Sequence, residues 1–62
     1  MDNALLKFLQ ASLDEQLPVT IYFDSISLRG VVSSIDSAVV ELRHENRRTV
    51  VRLDRIAAVT RE

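Results

Sequence analysis

The sequence predicts a mostly β domain in which one N-terminal α-helix precedes a small, five-stranded, bent antiparallel barrel. Three observations carry this prediction. The spacing of the apolar residues changes from a helical period to an alternating strand period at Pro18. Short polar segments then separate five apolar runs. None of these connecting segments is long enough for the crossover that parallel strands require. The 62 residues include one Gly, one Pro and no Cys, which is typical of one small globular domain.

The first predicted element is a helix over residues 3–16. An apolar stripe at helical spacing is formed by Leu5, Leu6, Phe8, Leu9 and Leu13. We expect Asp2 or Asn3 to cap its first turn. Pro18 ends the helix because the residue before a proline disfavours helical backbone. A helix this short is marginal alone in water, so its stripe must pack on the sheet.

Five strands follow the helix. They are predicted at residues 19–24, 26–35, 38–44, 48–53 and 56–60. The second run is longer than a usual strand, and Gly30 in its middle predicts a sharp bend or a close backbone approach. We expect Asp36 to accept hydrogen bonds from nearby backbone N–H groups in the next turn. The segment Asp54-Arg55 predicts a turn or a single 3₁₀ step.

The last two strands predict contacts between subunits. They carry β-branched residues and neither Pro nor Lys, so nothing protects them as free edges. We expect the fourth strand of one subunit to pair with the fifth strand of the next, a head-to-tail contact that closes into a ring or continues as a filament. The alternative is two sheet edges in solvent. The predicted interface residues are Thr49, Val50, Val51, Ile56, Ala57, Ala58 and Val59.

The charge of the chain is distributed unevenly although its net value is only -1. Residues 1–36 carry two basic and five acidic side chains, whereas residues 37–62 carry six arginines and four acidic side chains. Seven of the eight cations are Arg, whose planar guanidinium suits phosphate and stacks on bases. The basic second half therefore favours an anionic partner, and the alternative is a solvated surface with salt bridges.

Nothing in the sequence supports catalysis. His44 is the only imidazole and lies beside a predicted turn, and the serines around Asp36 have no base to activate them. Without Cys and with one His, the chain also lacks the thiolate and imidazole ligands from which a zinc site is built. We therefore expect no enzymatic activity, no metal and no cofactor. No signal peptide or membrane-spanning apolar run is visible, and we expect a cytoplasmic location.

Two short motifs carry a family resemblance. Gly30 and the pair Ile35-Asp36 match a strand glycine followed by a hydrophobic-Asp pair, and Val51-Arg52-Leu53-Asp54-Arg55-Ile56 matches a hydrophobic-Arg-Gly pattern except that Leu53 replaces the glycine. With the leading helix and the segment Leu17-Pro18-Val19-Thr20-Ile21-Tyr22-Phe23, nearly the whole chain resembles the Sm-like (LSm) proteins, and among them the Hfq-like RNA chaperones. Residues 50–57 are most similar to the cyanobacterial members.

The resemblance implies a homo-oligomeric ring of about five to seven subunits that binds single-stranded RNA on its faces and around its pore. Tyr22 matches a tyrosine that stacks on bases, and Ile26 and Leu28 match the apolar pocket beside it. Arg52 matches the arginine of the second motif, near the pore. The family's arginine patch would fall at residues 13–14, where this chain has Leu and Asp, and is absent.

Other pore positions depart from the family. Ser37 and Ala38 stand where the relatives carry a Gln-aromatic pair, and the Tyr-Lys-His tripeptide of the fourth strand is replaced here by Arg52-Leu53-Asp54. We place Arg47 and Arg48 in the turn between the third and fourth strands. There they contact the RNA backbone or are only solvated. The predicted RNA-binding residues are Arg52, Ser37, Ala38, Tyr22, Ile26, Leu28, Arg47 and Arg48.

Three functions stay open at this point. The first is an Sm-like ring that binds U- or A-rich single-stranded RNA as a riboregulator or RNA chaperone. The second is a ring that has lost most RNA contacts and serves as a scaffold for protein partners. For Arg52 the alternative to an RNA contact is an intersubunit salt bridge with Asp54 or Glu41, and for Tyr22 it is a position that covers the barrel mouth. The third is a monomeric SH3-like interaction module.

Overall fold

A computed structural model describes residues 3–61 and contains one helix and one five-stranded antiparallel sheet. In chain order the elements are α1 (Asn3–Glu15), β1 (Pro18–Phe23), β2 (Ile26–Ile35), β3 (Val39–His44), β4 (Arg47–Arg52), a 3₁₀ turn (Leu53–Arg55) and β5 (Ala58–Arg61). The strands are arranged in the order β4-β3-β2-β1-β5, so β4 and β5 are the two edges of the sheet. The predicted fold class is confirmed.

The leucine stripe of α1 faces the sheet, as the spacing predicts. Leu9 is fully buried, while Leu5 and Leu13 are half-buried against the same core. The helix packs on β2, β5 and β1 and covers one end of the bent sheet. It ends one residue before the predicted position because Gln16 adopts a left-handed backbone with φ of 58°. The predicted cap at Asp2 lies outside the described residues.

The bend of the sheet is centred on β2. Residues 26–31 of this strand pair with β1, and residues 31–35 pair with β3, so one strand belongs to both halves of the sheet. Gly30 lies where the partner changes, and a Cβ there would be only 2.9 Å from the carbonyl oxygen of Arg43. The close backbone approach predicted at this glycine is therefore present. A bulge follows between Val32 and Ser34, where the register with β3 shifts.

The core is formed by side chains from the helix and from four strands and the 3₁₀ turn. Its buried apolar residues are Leu9, Val19, Ile21, Val32, Val40, Leu42, Val51 and Leu53. Ser12 of α1 is buried among them, and its hydroxyl donates to the carbonyl of Leu17 at 2.6 Å. The same oxygen accepts a hydrogen bond from the backbone N–H of Val32 at 3.0 Å. Ser12 therefore fastens the helix to both the following loop and β2.

The limits of the last two strands differ from the sequence prediction. The turn before β4 contains only Glu45 and Asn46, so Arg47 and Arg48 both belong to the strand. Their placement in the turn was wrong, whereas the predicted strand bounds of 48–53 had already included Arg48. Leu53 begins the 3₁₀ turn instead of ending β4. β5 begins at Ala58, because the two residues before it bond their N–H groups outside the ladder.

Among residues 3–61, no helix has both the length and the apolar character needed to cross a membrane.

Candidate nucleic-acid interface

Three predicted pore residues meet where the turn between β2 and β3 lies against the 3₁₀ turn. The N–H of Leu53 donates to the carbonyl of Ala38 at 2.9 Å, which joins the two segments. The N–H of Ser37 donates to a carboxylate oxygen of Asp36 at 2.7 Å, the turn contact predicted for this aspartate. Ser37, Ala38 and Arg52 are all exposed, so the structure brings them together on one surface. We call this surface the pore surface.

On the pore surface, Arg52 already has an anionic partner in its own chain. Its Nη2 atom lies 2.8 Å from Oδ2 of Asp54, and the two side chains are 68% and 62% exposed. Glu41, the other predicted partner of Arg52, instead accepts a hydrogen bond from the Ser33 hydroxyl at 2.8 Å. The Asp54 pairing expected between subunits is therefore present within one subunit.

A second exposed surface surrounds the turn between β1 and β2. Tyr22 is 41% exposed and Ile26 is 54% exposed. They border an open groove of 390 Å³, whose lining residues are Tyr22, Phe23, Asp24, Ser25, Ile26, Ser27 and Ala57. At the turn, Arg55 contacts the Asp24 carboxylate at 3.1 Å. We call this the tyrosine groove. It provides an aromatic face and an aliphatic wall, the combination on which an unstacked base can lie.

Leu28 lies in a different depression from Tyr22 and Ile26. This cleft of 210 Å³ is lined by Ser27, Leu28, Arg29, Leu42, His44, Arg47 and Thr49. The apolar pocket implied for Ile26 and Leu28 together is therefore divided into two. Sequence reasoning missed Arg29 and His44 here. The strand register could have indicated His44, since it lies directly opposite Arg47 across the β3–β4 hairpin.

The β3–β4 hairpin end is strongly basic. Residues 43–48 contain three arginines, one histidine and one glutamate. Arg43 lies directly opposite Arg48, a like-charged cross-strand pair that costs stability. The Arg43 guanidinium also donates to the side-chain oxygen of Gln16 at 3.1 Å. An anion bound at this end would reduce the repulsion between the paired arginines.

The predicted subunit-interface residues lie on or beside the two edge strands. Val50 is 60% exposed on β4, and Thr49, Ala57 and Ala58 are exposed as well. Val51 is only 5% exposed, because its side chain points into the core. Its side chain is therefore not accessible to another subunit. Ile56 and Val59 are half-buried and pack against the core from the outside.

Comparison with known proteins identifies the fold. No family model matches the chain, and no curated protein matches it. Among solved structures, the chain is similar to a crystal structure of the pleiotropic translational regulator Hfq, with a TM-score of 0.84 and 26% sequence identity. The match covers 97% of this chain and 92% of that chain. The chain therefore has an Hfq-like Sm fold. This fold is that of a non-enzymatic family, in agreement with the predicted absence of catalysis.

Proposed function

We propose that this chain, with its Hfq-like Sm fold, assembles into a ring that binds single-stranded RNA in the manner of a riboregulator or RNA chaperone. The observation that carries the proposal is the structural likeness to a translational regulator over 97% of the chain. The cytoplasm is where such a protein would meet its RNA. We expect a closed ring of about five to seven subunits.

The two edge strands support assembly into a ring. β4 ends one side of the sheet and β5 ends the other, so each subunit presents two different edges to its neighbours. A contact between unlike edges repeats head to tail, and it closes when the rotation between subunits divides a full turn. Val50 supplies an exposed apolar side chain on β4, and Ala58 leaves space beside β5. The pairing also removes both exposed edges, which otherwise favour aggregation.

The tyrosine groove and the arginines support RNA as the ligand. Single-strand binders combine aromatic side chains that stack on bases with positive charge that follows the backbone. Tyr22 and Ile26 provide the first element on one surface. Arg29 and Arg47 provide the second in the neighbouring cleft. Repeating these residues around a ring concentrates positive charge even though each subunit has a net charge of -1.

A polarisation titration of labelled oligouridylate and oligoadenylate at several salt concentrations tests the proposal. We expect the logarithm of the affinity to fall linearly with the logarithm of the salt concentration, with a slope of about −0.7 for each phosphate contacted. Light scattering on the same sample should give a multiple of the single-chain mass. Absence of any salt-sensitive binding would refute RNA as the ligand.

A matched pair of variants tests the tyrosine groove. Tyr22→Ala removes the aromatic face and should weaken binding by about 1–3 kcal/mol for each stacked base. Tyr22→Phe retains the aromatic ring and should retain most of the affinity. The side chain is 41% exposed, so neither change empties the core. If Tyr22→Phe loses as much affinity as Tyr22→Ala, base stacking is not the role of this residue.

One observation favours the second function, a scaffold for protein partners. Arg52 is already paired with Asp54, and Ser37 and Ala38 carry no aromatic or basic group. A pull-down from the native host, with and without RNase, separates the two functions. Partners lost after RNase treatment favour the RNA-binding ring, and partners retained favour the scaffold. A light-scattering mass of one chain would instead favour the monomeric SH3-like module.

A further inference from the structure

We propose that Asp54 competes with RNA phosphate for the guanidinium of Arg52, so that this carboxylate limits how strongly the pore surface binds RNA. The inference rests on the proposed function, because it concerns the affinity of the same ring for single-stranded RNA. It goes beyond that function by assigning a restraining role to an acidic residue inside the binding surface.

The geometry of the pair is that of a guanidinium bound to an anion. Nη2 of Arg52 and Oδ2 of Asp54 are 2.8 Å apart, within the range of charge-assisted hydrogen bonds. The guanidinium fork matches carboxylate and phosphate oxygens alike. The Asp54 carboxylate therefore occupies a donor of Arg52 that a phosphate oxygen would otherwise accept from.

The backbone holds the two residues in place for this contact. Arg52 is the last residue of β4, with extended backbone at φ −72° and ψ 131°, and Asp54 lies in the 3₁₀ turn that follows. Leu53 between them is 5% exposed, with its side chain in the core and its N–H bonded to Ala38. Because the intervening residue is anchored, the arginine and the aspartate are set on the solvent side at hydrogen-bonding distance.

The pair is weak enough for RNA to displace. Both side chains are more than half exposed, and exposed ion pairs of this kind contribute about 0–1 kcal/mol. A phosphate that replaces the carboxylate gains Arg52 but then lies close to the negative charge of Asp54. Each subunit in a ring repeats this exchange, so the restraint is multiplied around the pore.

The same arrangement occurs at the other end of the 3₁₀ turn. Arg55 is held by Asp24 at 3.1 Å, again with both side chains more than half exposed. The arginines on both sides of the Leu53-Asp54 segment are thus occupied by carboxylates of their own chain. The second pair lies at the tyrosine groove, so carboxylates of the same chain occupy exposed arginines on both predicted RNA-binding surfaces and not at one chance contact.

Asp54→Asn tests the proposal, with Asp14→Asn as the matched control. Both changes remove one exposed negative charge, but Asp14 lies on α1 and accepts from the side chain of Gln10 instead of an arginine. In the oligouridylate titration, we expect Asp54→Asn to raise the affinity by about two- to fivefold and to steepen the salt slope by about 0.7 for each added phosphate contact. Asp14→Asn should leave the slope unchanged.

Arg52→Gln in both backgrounds completes the test as a double-mutant cycle. We expect Arg52→Gln to abolish the gain of Asp54→Asn and to cost the wild-type chain less affinity than it costs the Asp54→Asn chain, because in the wild type RNA must first displace the carboxylate. The proposal is overturned if Asp54→Asn behaves like Asp14→Asn, or if its gain persists together with Arg52→Gln. Wild-type binding with no gain from Asp54→Asn refutes this inference alone, whereas no binding by any variant refutes the proposed function as well. Circular dichroism verifies that each variant is folded.

Discussion

At the scale of single residues, Ser12 shows how one buried hydroxyl connects three parts of the fold. It is 2% exposed, donates to Leu17 and accepts from the N–H of Val32. The register of β1 with β2 ends at Pro18 opposite Val31, so Leu17 and Val32 would form the next pair. The Ser12 hydroxyl bridges the C=O of Leu17 and the N–H of Val32, and it satisfies both backbone groups where the ladder ends.

We predict that Ser12→Ala destabilises the fold by about 1–3 kcal/mol, because it leaves the buried N–H of Val32 and the carbonyl of Leu17 without their partner. Urea unfolding at a fixed protomer concentration measures the effect, since the proposed assembly would make stability depend on concentration. Ser34→Ala is the control, because Ser34 is exposed and lies on β2, the strand that contains Val32. Equal midpoints for the two variants would contradict the tethering role of Ser12.

We also predict that Gly30→Ala destabilises the fold by about 1–3 kcal/mol through overpacking. The added Cβ would lie 2.9 Å from the carbonyl oxygen of Arg43, and this neighbour is backbone, which cannot move aside as a flexible side chain can. Ser27→Ala, an exposed change on the same strand, is the control. A Gly30→Ala protein with the unfolding midpoint of the wild type would show that the two strands can separate freely.

These two residues also show what the sequence could and could not predict at this scale. Gly30 is recognisable, because a glycine in the middle of a long apolar run indicates a bend or a close approach. Ser12 is not, because a serine within a helix gives no signal of the strand N–H that it contacts. That contact joins residues far apart in the chain, and only the packing of α1 on β2 creates it.

At the scale of elements, the β3–β4 hairpin combines a tight turn with repulsion. Glu45 adopts a positive φ of 56°, which a non-glycine residue tolerates at a cost. Directly behind the turn, His44 faces Arg47 and Arg43 faces Arg48. Like charges directly opposite each other destabilise a ladder, so the hairpin retains its basic end at some expense of stability. Under the proposed function, the phosphates of a bound RNA would offset this repulsion.

We predict that Arg48→Glu stabilises the fold by about 0.2–1 kcal/mol, because it converts a like-charged cross-strand pair with Arg43 into an attractive one. Arg48→Gln only removes the repulsion, so its free energy of unfolding should lie between that of Arg48→Glu and that of the wild type. Urea unfolding gives the stabilities, and the RNA titration should show weaker binding by Arg48→Glu. We expect Arg48→Glu to be the most stable, Arg48→Gln intermediate and the wild type the least stable. Any other order would argue against repulsion between Arg43 and Arg48.

The elements were predictable where the pattern of apolar residues is regular. The change of period at Pro18 separated α1 from β1, and the alternation of Val40 and Leu42 located β3. β5 was misplaced at its start, because Ile56 and Ala57 continue the apolar pattern although their N–H groups bond to Leu53 and Tyr22 outside the ladder. Apolar alternation reports burial, and it does not report which backbone groups are paired.

At the scale of the whole molecule, the register of the hairpin indicates which backbone groups β4 offers to a neighbour. The two-residue turn makes His44 and Arg47 a hydrogen-bonded pair, and such pairs alternate with non-hydrogen-bonded ones along an antiparallel ladder. Thr49 therefore bonds to β3, whereas the N–H and C=O of Val50 point away from the sheet. The free edge of β4 thus presents the backbone of Val50, and under the proposed assembly the fifth strand of another subunit would pair with it.

We predict that Val50→Pro prevents assembly without unfolding the subunit. Proline removes the outward N–H that a neighbouring β5 needs, but it takes no donor from the ladder with β3, and proline is tolerated on such edges. Light scattering should then give the mass of one folded chain, where the wild type gives a multiple of it. Thr49→Pro is the opposite control, because the lost N–H lies in the β3 ladder and the chain should unfold by circular dichroism. If Val50→Pro still assembles as the wild type does, β4 is not the edge through which subunits pair.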